Sequence, residues 1–146
     1  MKYKLLVLDV DGTLLNDAKE ISKRTLASLL KVQQMGIRVA LASGRPTYGL
    51  MPLAKTLELG NYGGFIISYN GGQIINAQNG EILFERRINP EMLPYLEKKA
   101  RKNNFAIFTY HDDTILTDSS DNEHVRAEAN SVSYTHLRAH ETSQDL

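Results

Sequence analysis

The chain has 146 residues, which is enough for one domain with an apolar core of its own. Its 17 Lys and Arg side chains balance its 17 Asp and Glu side chains, so no strong field favours nucleic acid or an anionic membrane as a partner. The absence of cysteine excludes disulfides and thiol chemistry, and no apolar run reaches the length of a membrane span. We therefore expect a soluble cytoplasmic protein, and the composition leaves its oligomeric state open.

An apolar strand that ends in two carboxylates is the first predicted element. Leu5–Leu8 lead into Asp9, Asp11 and Gly12, and a short apolar run before a polar turn is typical of a strand buried on both faces. Residues two apart on a strand share a face, so we expect Asp9 and Asp11 to point at one place. Buried carboxylates need a cation or hydrogen bonds, and Gly12 lets the backbone approach a ligand closely. The stretch therefore predicts a site for a metal ion and a phosphoryl group.

The same carboxylates fit part of the pattern of a calcium loop. Asp9, Asp11, Thr13 and Glu20 stand at ligand positions one, three, five and twelve of such a loop. We reject this alternative because Leu14 stands where the loop requires glycine, and because a strand enters it where a helix should. A plain acidic turn after an ordinary core strand remains as the structural alternative.

A helix and a second strand follow the carboxylate loop. Ser22 is a good N-cap residue, the apolar residues among 23–35 recur at helical spacing, and Gly36 supplies a C-terminal stop. Residues 37–42 then form an apolar run that predicts the second strand. The order strand, helix, strand predicts a βαβ unit, whose crossover is right-handed in nearly all proteins.

Three predicted strands bring polar residues to one edge of the sheet. Residues 47–59 predict a second helix, with a kink or restart at its internal proline, and residues 65–69 predict the third strand. The three strands end at Asp9, Ser43 and Asn70. In open α/β sheets, ligands bind beyond the carboxyl ends of the strands. We therefore expect the binding site at this edge.

The pattern changes after Gly72. The elements predicted there are hairpin strands at 73–76 and 81–86, a helix at 89–103, and hairpin strands at 105–110 and 114–117. The order hairpin, helix, hairpin is an α+β organisation that differs from the first half. We therefore expect a domain boundary near Gly72, with residues 1–72 and 73–131 as separate domains.

Residues 132–146 are expected to be a non-native tail. Val132–Thr142 resembles the translated end of a sequencing adapter and fits no obvious element. His136 and His140 stand there at the helical i, i+4 spacing that would allow a zinc pair. We reject that alternative because no third ligand and no catalytic glutamate accompany them.

The run Asp9-Val10-Asp11-Gly12-Thr13 after an apolar strand resembles the D-x-D-G-T signature of the haloacid dehalogenase (HAD) superfamily, mostly phosphatases with an aspartate nucleophile. The α+β segment after the third strand is similar to the cap of the class IIB, Cof-like members. The resemblance covers residues 1–131. It implies an α/β fold, a partial HAD Rossmann-like parallel core with an incomplete α+β cap.

The resemblance also implies roles for the residues at the sheet edge. Asp9 would be the nucleophile that forms an aspartyl-phosphate, and Asp11 the general acid and base. Both residues would hold Mg²⁺, Asp9 through its carboxylate and Asp11 through its backbone carbonyl, with the substrate phosphate as a further ligand. The implied phosphate-binding and substrate-binding residues are Gly12, Ser43, Gly44, Arg45 and Asn70.

Simpler roles stay open for three of these residues. Ser43 is also placed to cap the following helix, and both roles can hold together. Arg45 and Asn70 are as compatible with plain loop structure as with substrate binding.

Two parts of the family pattern have no match in this sequence. The family has a lysine on a later segment and an acidic pair after a fourth core strand, and we interpret Asp118–Asn122 as a turn. We therefore expect an inactive, poorly folded fragment of a Mg²⁺-dependent phosphatase of small phosphometabolites, such as sugar phosphates or phosphorylated cofactors. A phosphomutase and a non-catalytic phosphate-binding or regulatory module are the alternatives.

Overall fold

The structure is a computed structural model that describes residues 2–111, 114–117, 119, 121–131 and 136–139. It divides into two compact units, Met1–Arg86 and Arg87–Leu146. The strands of the first unit are β1 (Leu5–Asp9), β2 (Arg38–Ala42), β3 (Phe65–Ser68), β4 (Gln73–Asn76) and β5 (Ile82–Glu85). Its helices are α1 (Lys23–Gln34) and α2 (Thr47–Thr56).

The first unit is built on one five-stranded sheet with the strand order β1-β2-β3-β4-β5. β1 pairs with β2 and β2 with β3 in parallel, whereas β4 and β5 add to β3 as an antiparallel hairpin. The parallel part carries the two helices as crossovers, which is the arrangement of an α/β protein. The expected fold class, a partial Rossmann-like parallel core, is confirmed.

Helix α1 begins and ends where the sequence predicts. The Ser22 hydroxyl accepts a hydrogen bond from the backbone N–H of Thr25 at 3.1 Å and so caps the helix. Ile21 and Leu26 pack against the core on either side of this cap, as expected of a hydrophobic staple. Gly36 follows the helix at a φ of 84°, a conformation that favours glycine.

Helix α2 is shorter than predicted. It runs through Pro52 without a restart and ends at Thr56. Beyond it, the N–H of Leu59 donates to the carbonyl of Ala54, and the N–H of Gly64 donates to the carbonyl of Leu59. The chain therefore leaves the helix through a hydrogen-bonded turn, not through the extra helical turn that the sequence pattern predicts.

The core of the first unit lies between the parallel strands and the two helices. It contains residues from the loop after β1, from both helices, from β2 and β3, and from the segment after α2. The buried members are Val10, Leu14, Leu15, Leu29, Val39, Leu41, Leu50, Ala54, Leu57, Leu59 and Ile66. Burial of this apolar surface holds the strand ends, and thus the site, in place.

The hairpin at 73–86 lies in the first compact unit. A short 3₁₀ turn, Tyr69–Gly71, reverses the chain so that Ser68 pairs with Gln73 and the hairpin continues the sheet. The division by compactness thus falls after Arg86, whereas the sequence predicts a domain boundary near Gly72. The assignment of residues 1–72 to a core domain and 73–131 to a cap stays a prediction.

The second unit contains α3 (Leu93–Lys102), β6 (Phe108–His111), β7 (Thr114–Thr117), α4 (Glu123–Ser131) and β8 (His136–Ala139). β6 and β7 form the predicted antiparallel hairpin, and β8 pairs with β7 in parallel. Ile115, Val125 and Ala129 form its buried apolar cluster. No helix in the described part of the chain is long and apolar enough to cross a bilayer.

Two elements of this unit are absent from the sequence prediction. The N–H of Asn122 donates to the carbonyl of Ser119 in a turn, as expected, but helix α4 begins directly after it. Strand β8 lies inside the segment predicted to be a foreign tail, and His136 is in a strand, not in a helix. The foreign origin of residues 132–146 stays a prediction. Asp118, Ser120 and His140 lie outside the described residues.

Candidate active site

The carboxyl ends of the three parallel strands lie side by side. Asp9 ends β1 opposite Ala42 of β2. The N–H of Ser43, directly after β2, donates to the carbonyl of Ile67 on β3 at 3.0 Å, and the N–H of Asn70 donates to the carbonyl of Ser43 at 3.2 Å. The backbone thus joins Ser43 and Asn70 directly and aligns them beside the end of β1.

The loop after β1 is a tight turn around the Val10 carbonyl. The N–H groups of Leu14 and Leu15 both donate to this oxygen, at 3.1 and 3.0 Å. Gly12 has a φ of 77°, and a Cβ added there would contact nothing within 4 Å. The left-handed backbone, and not a lack of space, is therefore the reason for glycine at this position.

The Asp9 carboxylate stands free at the end of its strand. Asp9 is exposed, and its carboxylate has no hydrogen-bond or ion-pair partner among the described residues. A carboxylate with unsatisfied oxygens at a strand end is open to a cation or to an electrophile.

The Asp11 carboxylate is held by two cations. Arg45 donates from Nε to Oδ2 at 2.9 Å and from Nη2 to Oδ1 at 2.8 Å, while the Lys19 ammonium donates to Oδ1 at 3.2 Å. The Arg45 side chain is only 11% exposed, compared with 43% for Asp11 and 64% for Lys19. The hydrogen bonds from Arg45 lower the pKa of the Asp11 carboxyl; partial burial opposes this effect, and Lys19 adds to it.

Backbone hydrogen bonds join two loops into one loop pair, which consists of the loop after β2, with Ser43, Gly44 and Arg45, and the turn after β3, with Asn70. The Ser43 hydroxyl accepts a hydrogen bond from the N–H of Arg45 at 3.1 Å, which closes a turn in the loop and leaves its own proton free to donate. Ser43 does not cap α2, as the sequence allowed, because Pro46 is the N-cap residue and no side chain caps the helix. A Cβ on Gly44 would lie 3.1 Å from the Asn70 amide oxygen, so the two loops approach closely because this residue is glycine. Asn70 has a φ of 54°, a conformation that asparagine tolerates better than most residues.

A hydrogen-bond network of polar side chains adjoins this loop pair. Thr47 donates to the Gln73 amide oxygen at 2.6 Å and shares a 2.7 Å hydrogen bond with the fully buried Ser68. The Gln73 amide nitrogen donates to Glu85 at 2.7 Å. This network connects the first turn of α2 to the end of β3 and to both strands of the hairpin.

Sequence reasoning missed Lys19 and this network. Lys19 follows Asp11 by only eight residues, so its proximity along the chain was a signal that could have found it. Nothing local in the sequence links Thr47 to Gln73, because their contact depends on the hairpin folding back onto β3.

The donor set fits one magnesium ion held by few protein ligands. In the part of the chain that the structure describes, no three or more His, Cys, Asp or Glu side chains cluster as a metal cage. Mg²⁺ is commonly bound by one or two carboxylates together with waters and substrate phosphate. The unpartnered Asp9 carboxylate fits this pattern. The Asp11 carboxylate is already paired with cations, so its backbone carbonyl is the donor left to a metal.

The fold and the site define a Rossmann-like α/β protein with carboxylates and an arginine at the carboxyl edge of its sheet. The model of the haloacid dehalogenase-like hydrolase family matches residues 6–145. The chain belongs to this family. The family resemblance drawn from the sequence, including its Cof-like class IIB subgroup, is confirmed.

Three relatives give the extent of the match. A haloacid dehalogenase-like hydrolase from Bacteroides thetaiotaomicron of known structure is 45% identical, with a TM-score of 0.90 over 99% of this chain and 54% of its own. YxeH of Bacillus subtilis strain 168 is 35% identical over 83 residues, 57% of this chain and 31% of that protein. The HMP-PP phosphatase of Cronobacter sakazakii is 28% identical over 118 residues, 81% of this chain and 42% of that protein. The chain thus spans about half the length of these relatives or less.

Proposed function

We propose that this chain supplies the nucleophile-bearing part of a Mg²⁺-dependent phosphatase that acts through an aspartyl-phosphate. The observation that carries the proposal is the Asp9 carboxylate at the end of β1, which has no partner among the described residues and precedes by two positions the Asp11 that pairs with Arg45. The proposed site residues are Asp9 and Asp11 for catalysis and metal binding, and Gly12, Ser43, Gly44, Arg45 and Asn70 for the phosphoryl group.

Each side chain has a proposed task. An Asp9 oxygen attacks phosphorus, the ester bond to the leaving oxygen breaks as neutral Asp11 gives that oxygen its proton, and the phosphoryl group stays on Asp9. The Ser43 hydroxyl donates its free proton to a phosphoryl oxygen, and the magnesium ion, when bound, offsets the negative charge of nucleophile and phosphoryl group. Asp11 then takes a proton from the water that hydrolyses the aspartyl-phosphate.

Arg45 favours one half of the role proposed for Asp11. The hydrogen bonds from Arg45 lower the pKa of the Asp11 carboxyl, which keeps the carboxylate charged and suits it to act as a base. Protonation of the leaving oxygen requires the neutral acid. The arginine must therefore loosen its hold on Asp11 before the acid step.

The proposed substrates are small phosphorylated metabolites, such as sugar phosphates or phosphorylated cofactors. The name of the HMP-PP phosphatase states a small phosphorylated substrate for that relative. The open, exposed position of Asp9 is compatible with such a compact ligand. We further propose that the 146-residue chain alone is inactive, because no lysine and no acidic pair of the family pattern are matched in it.

The test compares the chain alone with a chimera. In the chimera, residues 1–131 are followed by the remainder of the Bacteroides relative from the corresponding position onward. We expect Mg²⁺-dependent hydrolysis of p-nitrophenyl phosphate by the chimera, none by the chain alone, and loss of turnover in Asp9→Asn because an amide is not a nucleophile. Asp121→Asn, which removes an exposed carboxylate in the second unit, is the matched control. Turnover of Asp9→Asn within about tenfold of the parent chimera would contradict the proposal.

A non-catalytic phosphate-binding module is the second candidate. The observation in its favour is that the Asp11 carboxylate is paired with both Arg45 and Lys19. A carboxylate held in two ion pairs is better suited to positioning cations than to transferring a proton. A well-folded chimera that binds inorganic phosphate but shows no turnover would favour this candidate.

A further inference from the structure

We propose that Lys19 is a phosphate-binding residue of this site, and that its ammonium group passes from Asp11 to an oxygen of the bound phosphoryl group. The inference rests on the proposed function, because it assumes that a phosphoryl group binds next to Asp9. This role would add a second cation to the site. Lys19 lies on the solvent-exposed side of Asp11, whereas Arg45 lies on its less exposed side.

A closed loop holds Lys19 in this position. The N–H of Asn16 donates to the carbonyl of Glu20 at 3.0 Å, and the N–H of Lys19 donates to the carbonyl of Asn16 at 2.9 Å. The Asn16 side chain also accepts a hydrogen bond from the N–H of Glu20 at 2.9 Å. Backbone and asparagine groups therefore close the loop, and the ammonium group of Lys19 is not needed to keep it closed.

The backbone at Lys19 has an uncommon conformation. Its φ is 60°, in the left-handed region where a residue with a Cβ is disfavoured and where glycine or asparagine is the usual choice. A residue kept in a costly conformation is most often found at a functional site. Among the described residues, its ammonium group is hydrogen-bonded only to Asp11.

The Lys19–Asp11 pair is weak enough to exchange. The lysine side chain is 64% exposed, and exposed ion pairs contribute little to stability because water and salt screen them. A phosphoryl group carries more negative charge than a carboxylate and offers several acceptor oxygens. An ammonium on a long, rotatable side chain binds phosphate as a point charge, so Lys19 can turn from one anion to the other without movement of the loop.

The exchange also accounts for how Asp11 could act on the substrate. Lys19 and the Arg45 Nη2 group both donate to the same oxygen, Asp11 Oδ1. When the phosphoryl group draws Lys19 away, that oxygen loses one of its two donors. Substrate binding would therefore leave Asp11 Oδ1 with Arg45 as its donor and make the oxygen more accessible to the reacting groups.

The experiment measures the affinity of the chimera for inorganic phosphate by titration calorimetry, with Mg²⁺ present and the ionic strength fixed; the parent and every variant below are chimeras. We expect Lys19→Gly and Lys19→Gln to weaken phosphate binding by about tenfold, the loss of one charge-assisted hydrogen bond. Lys19→Gly should melt at the same or a higher temperature than the parent, because glycine relieves the left-handed backbone.

Two control variants separate charge from strain. Lys55→Gln removes an exposed lysine at the end of α2 and should leave phosphate affinity unchanged. Glu58→Gly relieves another left-handed residue, with a φ of 54°, and should raise the melting temperature without changing affinity. Equal phosphate affinity of the parent and both Lys19 variants would overturn this inference alone. A parent chimera that binds no phosphate would overturn the proposed function together with it.

Discussion

At the scale of single residues, Asp11 carries the electrostatics of the site. The buried Arg45 guanidinium binds both of its oxygens in a fork geometry, which lysine cannot reproduce. This pairing lowers the pKa of Asp11 below its ordinary value of 3.8. A carboxyl group whose pKa is lower in the folded chain than in the unfolded chain stabilises the fold above the ordinary value. That contribution is lost as the pH falls through the folded value.

The first prediction follows from this linkage. Arg45→Met should cost stability at neutral pH, and the difference from the parent should shrink as the pH falls below 3.8, the ordinary pKa of Asp11. The effect should be modest because Asp11 is 43% exposed. Denaturant melts across this pH range give the difference profile, and Arg45→Lys should show an intermediate one. A destabilisation by Arg45→Met that stays constant with pH would show that the arginine stabilises by packing, not by charge.

The site residues also mark the limit of what the sequence predicts. Asp9, Ser43 and Asn70 could be placed at one edge because each lies at or just after the end of an apolar strand, and parallel strands align their carboxyl ends. The bidentate Arg45–Asp11 pair could not be predicted, because it joins residues that are 34 positions apart. Lys19 is only eight residues from Asp11, so it was a candidate by proximity, but the sequence does not show the left-handed backbone at Lys19.

At the scale of elements, capping residues and apolar spacing predicted the ends of helix α1, but the sequence did not predict which strands pair. Ser22 and Gly36 set the ends of α1 because capping is a local interaction. The hairpin at 73–86 was predicted as a hairpin, but its membership of the first sheet depends on the turn at Tyr69–Gly71. Strand β8 exists only through its pairing with β7, which no pattern inside residues 136–139 encodes.

The second prediction concerns the close approach of β2 and the segment before β3. A Cβ on Gly64 would lie 2.6 Å from the Val39 carbonyl oxygen and 3.0 Å from the Leu59 Cβ. Because one of these is a backbone atom of the central strands, the clash cannot be relieved by a side-chain rotation. Gly64→Ala should therefore lower the free energy of unfolding by about 1–3 kcal/mol.

Gly44→Ala is the matched control for this substitution. Its added Cβ would meet only the Asn70 side chain, at 3.1 Å, and a side chain can move. Denaturant unfolding of both variants should give a clearly larger loss for Gly64→Ala. Equal losses would mean that the strands give way at Gly64 as easily as the Asn70 side chain does at Gly44.

At the scale of the whole molecule, the edge of the first sheet is the feature that most affects behaviour in solution. β1 lies at one end of the strand order, and no strand among the described residues pairs with its outer side. Leu5 and Val7 are 46% and 49% exposed, on the face of β1 opposite the partly buried Leu6 and Leu8. An exposed apolar edge strand offers unpaired backbone groups to another chain.

The last prediction is that the 146-residue chain self-associates through β1. A second edge strand would satisfy the free backbone groups and bury Leu5 and Val7, so the mass measured by light scattering should rise with concentration. Val7→Lys places a charge on this strand and should reduce association, as charges on natural edge strands do. Met35→Lys changes an equally exposed apolar residue, 52% exposed, just after α1, and should have no such effect. A parent chain that stays a single species and melts cooperatively at every concentration would refute this prediction and, with it, the expectation of a poorly folded fragment.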